Sequence, residues 1–275
     1  MLSLSVRRSP LPGLGLGFGV TMTYLSLLLL LPLGAVVLRA SSLTPSGFWA
    51  AVWSERARAA YALTFGASAI AAVANMGLGL LLAWVLARYD FWGRRFLDAL
   101  IDLPFALPTA VAGLVFSGLF VEAGWYGQFL VPLEIRGAYS RLGVVLVLAF
   151  VGLPFVVRTV QPVLESLEGE IEEAAASLGA SRWQTFSRVL LPALWPSLVT
   201  GFALAFARGL GEYGSVQFVS GNMPFKTEIA PVLIVQRLEA FEYAEAAAVA
   251  CVLLAGSLGS LGLINWLQRR SRRHA

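Results

Sequence analysis

Few side chains in this 275-residue sequence are equipped for chemistry, so each can be weighed in turn. Lys226 and Thr227 follow Phe225, so the Gly-Lys-Thr core of a phosphate-binding loop is missing and nucleotide is not held by that route. The single histidine, His274, lies in a basic tail, far from any apolar run, which excludes His-dependent serine nucleophile chemistry. The single cysteine, Cys251, rules out an intrachain disulfide and a cysteine-rich metal site. What remains is Arg208 and Glu212, four residues apart within an apolar run. On a helix they share a face and can pair. Charges in such a run face the protein interior or a water-filled path. The alternative is a structural pair near an interface, with Arg208 snorkelling. Both readings stay open at this level.

The elements that must position these residues follow from composition. The chain is 58% hydrophobic and 13% charged, against about 25% charged in a soluble domain. Apolar runs near the length that crosses a hydrocarbon core of roughly 30 Å recur along it. This is the pattern of an all-α membrane protein. Six spans are expected, at 20–38, 61–86, 98–121, 142–163, 190–213 and 246–267. Tyr89–Asp90, Pro192–Ala193–Leu194 and Gly209–Leu210–Gly211–Glu212 imitate intramembrane aspartyl protease motifs. Their order is wrong, Glu212 replaces the aspartate, and Asp90 sits in an arginine-rich loop, so no proton-sharing carboxylate pair is set up.

The net charge of +4 comes almost wholly from arginine. With both termini inside, Arg7, Arg8, Arg88, Arg94, Arg95, Arg158, Arg182, Arg188, Arg269, Arg270, Arg272 and Arg273 fall in the cytoplasm. Only Arg39, Arg56, Arg58, Arg136, Arg141, Lys226 and Arg237 then lie outside. Positive charge resists translocation, so this orientation is expected. Residues 1–19 read as a cytoplasmic segment, with GLGLGFG at 13–19 a flexible entry, 20–268 as the membrane domain with an uncleaved first span, and 269–275 as a basic cytoplasmic tail.

The same orientation puts a polar insert, about 164–189, in the cytoplasm between spans four and five. It reads as two short helices. Ser166 can cap the first, and Glu170, Glu172 and Glu173 suit its early turns. Ile171, Ala174, Ala175 and Leu178 make a narrow apolar face. Gly179 suits a left-handed turn, Ser181 can cap the second helix, and Pro192 and Pro196 kink the fifth span. In the third span, Pro104 and Pro108 mark either a broken helix or a single bent one. Gly256, Gly259 and Gly262, with Ser257 and Ser260, form a small-residue strip suited to close helix packing. Asp102 is placed at an interface. The half-apolar segment 214–243 reads as a re-entrant hairpin, a partner-docking surface, or both.

The insert also carries a recognisable spacing. Glu173, Ala174 and Ala175, three residues, Gly179, nine residues, then Val189, Leu190, Leu191 and Pro192 resemble the EAA signature of ABC importer permeases, with Val189 where that pattern has isoleucine. ARGLGEYGSVQFVSGNMPFKTE (207–228) and RLEAFEYAEAAAVA (237–250) are similar to the T-type permease subunits of sulfate/thiosulfate importers. LPFALPTAVAG (103–113) resembles a stretch shared with molybdate permeases. Rival readings are a molybdate or tungstate permease and, in another class, an ion-coupled secondary transporter, which predicts inverted repeats.

The resemblance implies a type I importer fold and a non-enzymatic subunit without its own cofactor, ATP and magnesium residing on two cytosolic ATPase partners. It also implies a homologous permease partner of the W type and an external sulfate-binding protein. On this view Glu173, Ala174, Ala175, Leu178, Gly179 and Pro192 carry coupling to the ATPases. Arg208 is the candidate for easing the anion's passage, with Glu212 holding it and Tyr213 and Asn222 beside it along the path.

Overall fold

A helix in hydrocarbon satisfies every backbone donor and acceptor within its own segment, which is why long apolar runs emerge as helices. The computed structural model describes residues 14–167 and 169–271, and the regular structure in them is helical. In chain order the elements are α1 (Gly15–Ala40), α2 (Pro45–Val52), α3 (Glu55–Arg88), α4 (Arg94–Ile101), α5 (Leu103–Ala106) and α6 (Thr109–Phe120). They continue with α7 (Gly127–Leu130), α8 (Arg141–Ser166), α9 (Gly169–Ser177), α10 (Arg182–Leu210), α11 (Gly214–Val219), α12 (Ala230–Glu239) and α13 (Tyr243–Ser271). Among the described residues five of these, α1, α3, α8, α10 and α13, are long and apolar enough to cross a membrane.

The expected third span is not one helix. It is divided among α4, α5 and α6, so the broken-helix alternative holds. Proline supplies no N–H and pushes the preceding residue out of the helical region. Leu107, just before Pro108, is extended at ψ 134°. Pro192 is accommodated differently. Phe186–Leu190 forms one widened π turn in which the Leu191 N–H reaches back to the Phe186 carbonyl, opening room for the proline ring. Pro32 is preceded by the same device, Leu31 N–H bonding Ser26 O.

Other expectations are corrected. Residues 15–19 are helical and begin α1, rather than forming a flexible entry; glycine costs a helix about 1 kcal/mol in water but is frequent in membrane helices. Ser166 caps nothing, because α8 runs through it and its hydroxyl donates to Val163 O. Arg158, counted with the cytoplasmic arginines, lies inside α8, within the expected fourth span. The second helix of the insert is the first turn of α10, fused to the span. The apolar span of α13 ends at Gln268, and the helix itself runs on to Ser271. Residues 1–13, with Arg7 and Arg8, and Arg272, Arg273 and His274 lie outside the described residues, as does the Glu170 side chain.

The core is the packing of α3, α8 and α10 around Leu86, Val156, Val160, Leu164, Leu194 and Phe206. Close approach depends on missing side chains. A Cβ on Gly201 would fall 2.9 Å from Val156 Cα, and one on Gly79 2.7 Å from Val156 Cγ1. In the strip on α13 only Gly256 meets a neighbour within the chain, Phe65. Helix α1 packs on α13 at the periphery, its leucines open to the surroundings.

Candidate functional site

Two regions matter: the insert at one end of the core and a set of charged clusters along it. In the insert, Gly179 adopts φ 82°, and the chain reverses through paired bonds, Gly179 N–H to Ala176 O and Ala180 N–H to Ala175 O. That is a Schellman ending, with the glycine spared the steric penalty of a left-handed conformation. Ser181 then caps α10 in a full capping box, since the Gln184 side chain accepts from the Ser181 N–H. The turn is thus rigidly specified at both sides.

Helix α9 presents the expected face outward. Ile171, Ala174 and Leu178 are exposed, Leu178 by 89%, and Trp183 continues the ridge onto α10. Ala175 is half-buried and Glu173 exposed. Glu172 turns the other way and lies 2.8 Å from Arg88 Nη2, a close ion pair without hydrogen-bond alignment. Arg88, at the end of α3, also donates to Leu167 O. The insert is therefore tied to α3 as well as to α8 and α10, a contact the sequence reading missed.

At the far end, Arg208 Nη1 and Glu212 Oε2 are 2.6 Å apart, and the Glu212 side chain is 2% exposed against 35% for Arg208. The second carboxylate oxygen accepts from both Ser215 N and Ser215 Oγ, at 3.0 and 2.9 Å. Glu212 thus anchors the first turn of α11, where the helix dipole favours a negative charge. Helix α11 is pressed onto α6: a Cβ on Gly214 would lie 2.3 Å from Thr109 Oγ1, and one on Gly113 2.2 Å from Ser215 O. Ser117 Oγ reaches Phe218 O at 2.8 Å. Segment 214–243 therefore folds inward as α11 and α12, packed on the core.

Tyr213 packs partly buried beside Val144, Val147 and Val216. Asn222 sits in a turn at φ 51°, its side chain bonded to Ser220 Oγ and Gln217 O. Its amide is thus committed to the end of α11 and the Ser220 hydroxyl just after it, while Arg208 and Glu212 are brought together as expected.

Two further clusters were missed. Arg56 clasps the buried Glu228, with Nε and Nη2 donating at 2.8 and 2.6 Å, and Nη2 also meets Gln236 Oε1. Arg158 uses all five N–H donors of its guanidinium. Nε and Nη2 go to Asp102, Nη1 to Asp98 Oδ1 and Gln161, and Nη2 to Asp98 O. It clamps α4 and the break after it onto α8. The available signal was an arginine within one apolar run and two aspartates at the start of another. Among the described residues, no group of three or more His, Cys, Asp or Glu is placed to hold a metal.

Residues 75–273 match the family described as binding-protein-dependent transport system inner membrane component. The chain belongs to that family. Relatives include the sulfate transport system permease protein CysT of Salmonella typhimurium, 50% identical over 273 residues and covering 99% of this chain and 98% of the relative. The probable sulfate transport system permease protein cysT of Nephroselmis olivacea is 52% identical over 244 residues, 89% of this chain and 86% of the relative. Among solved structures, a bacterial alginate ABC transporter in complex with alginate pentasaccharide-bound periplasmic protein superposes with TM-score 0.76 at 18% identity, covering 94% of each chain. The MetNI methionine ABC transporter in inward-facing conformations gives TM-score 0.57 at 18% identity, over 85% of this chain and 100% of that chain. These likenesses place the helix arrangement in the type I ABC permease fold.

Proposed function

We propose that this chain is the membrane permease subunit of an ATP-driven sulfate importer, with thiosulfate as a second cargo. The reading is carried by identity of about half over nearly the whole length to relatives named as sulfate permeases. Those names favour sulfate over the molybdate and secondary-transporter alternatives. The chain is a transport subunit, not an enzyme, and its ATP and magnesium belong to two partner ATPases.

In this reading the broken α4–α6 segment completes a sixth crossing, both termini face the cytoplasm, and the host membrane is a bacterial inner membrane. The partner permease is a W-type homologue, and an external binding protein delivers the anion. The exposed ridge of Ile171, Ala174 and Leu178 on α9 seats in a groove of the ATPase, as apolar helix faces do. Gly179 fixes the angle at which motion passes from α9 into α10. Glu173 and Ala175 flank the docked face, and Pro192 opens the turn where α10 enters the core.

The test is co-purification and uptake. Leu178→Glu is expected to strip ATPase subunits from the purified complex, and Gly179→Val to keep them while labelled sulfate uptake per ATP hydrolysed falls about tenfold. Full assembly with undiminished coupled uptake in both variants would sink the coupling assignment. A wild-type complex that imports no sulfate would sink the cargo.

A further inference from the structure

An anion in a low-dielectric path is favoured by positive charge that is not already cancelled, as well as by aimed N–H donors. Among the described residues Arg56, Arg88, Arg94, Arg158 and Arg208 are each paired with a carboxylate. Two of the described cavities repeat this balance. The one holding Arg94 and Arg95 is also lined by Asp90, Asp98 and Glu165, and the one holding Arg88 and Arg182 by Glu172. Arg39 lines a third that has no carboxylate on its lining, but there its guanidinium lies over the Tyr243 ring.

One cavity differs. About 320 Å³ in volume, it is walled by Ala59, Ala62, Gly66, Ile70, Arg141 and Phe225 among others, with no carboxylate on its lining. Arg141 Nε donates to Lys226 O at 2.8 Å, and no carboxylate among the described residues lies within ion-pair distance of its guanidinium. The turn that supplies this carbonyl is itself pinned. The N–H groups of Lys226, Thr227 and Glu228 bond Met223 O, and Thr227 Oγ1 accepts from Met223 N. Phe225 is held there at φ 64°, a costly conformation for a bulky residue, of the kind that collects at ligand-binding sites. The guanidinium is exposed at the rim of this largely apolar wall, open to an arriving ion. The space admits a small oxyanion with part of its hydration shell, a water occupying about 30 Å³. Residues 59–70 lie on the half of α3 away from Arg88, which meets the insert; from Gly66 to Arg88 the helix spans roughly 33 Å.

We infer that Arg141 is an oxyanion-binding residue at the mouth opposite the insert, and that its ligand is the cargo anion. The inference rests on the sulfate-import reading and names a contact within it. A single cation offsets only part of a dianion's charge, which attracts the cargo and still lets it leave. Arg208, already matched by Glu212, is the weaker candidate.

The test uses the assembled transporter in vesicles, in a Cys251→Ala background. Ala62→Cys is expected to react faster with a negatively charged thiosulfonate than with a positively charged one, with sulfate slowing the reaction. Adding Arg141→Gln should cut the anionic-to-cationic rate ratio about tenfold, or about 1.4 kcal/mol, and abolish protection by sulfate. Arg141→Lys should restore most of the ratio and of sulfate uptake; equal loss in the Lys and Gln variants would mean that the arginine only pins the turn. Failure of either reagent to reach the introduced thiol would place the cavity against lipid tails. Protection that sulfate does not change, and that disappears in detergent, would assign the guanidinium to a lipid phosphate. Each of these outcomes overturns the inference. If wild-type vesicles import sulfate throughout, the proposed function survives such a failure.

Discussion

Glu212 shows how a single buried residue binds local structure to a charge. Its carboxylate serves Arg208 with one oxygen and the Ser215 amide and hydroxyl with the other. Replacing it by alanine leaves donors without acceptors in a site where Ser215 is fully buried, at about 1–3 kcal/mol for each unmet group. Glu212→Ala should therefore lower the unfolding temperature of the detergent-purified complex more than Glu212→Gln, which keeps an amide oxygen for Ser215. Arg208→Gln combined with Glu212→Gln should be milder than Arg208→Gln alone, because it leaves no buried carboxylate uncompensated. Equal thermal shifts across these variants would show that the pair is incidental.

Helix α4 and the proline break after it depend on Arg158. Five hydrogen bonds from one guanidinium hold Asp98, Asp102 and Gln161, while Pro104 and Pro108 deprive the segment of backbone bonds. The clamp is half-exposed at its carboxylates, so its worth is that of a screened network rather than of a dry pair. Arg158→Gln is expected to speed amide hydrogen exchange across 98–108 about tenfold, with α8 itself unchanged. Arg158→Lys, with three donors and no planar fork, should fall between. Unaltered exchange at 98–108 would mean that packing alone holds the broken segment. The insert is different: its ending bonds and capping box are local, so its shape needs little from the core.

Across the whole molecule, the Arg88–Glu172 pair joins the insert to the far end of α3, whose other end lines the Arg141 cavity. In the proposed coupling, movement of α9 would pass through this pair to a helix that reaches both ends of the core. Glu172→Gln should leave ATPase attachment intact and reduce uptake per ATP hydrolysed by a few-fold, since the face proposed to dock points away from Glu172. Loss of attachment in that variant would place Glu172 in the docking face instead. This side of α9 was invisible in the sequence, where Glu172 counted only as an acid near a helix start.

What the sequence by itself determined is whatever depends on local chemistry. The left-handed Gly179, the Ser181 cap and the pairing of Arg208 with Glu212 act over a few residues, and apolar runs of span length over one helix, whereas Pro104 and Pro108 left a break and a bend both open until the fold was seen. The family resemblance was also legible, because its residues are contiguous. The tertiary structure alone decided which distant charges meet. Arg158 finds aspartates in another segment, Arg56 finds Glu228, and Arg141 finds no carboxylate among the described residues. Whether a cation is cancelled or left to act on an anion depends on through-space distance and burial, and those are set by how the helices of the core pack.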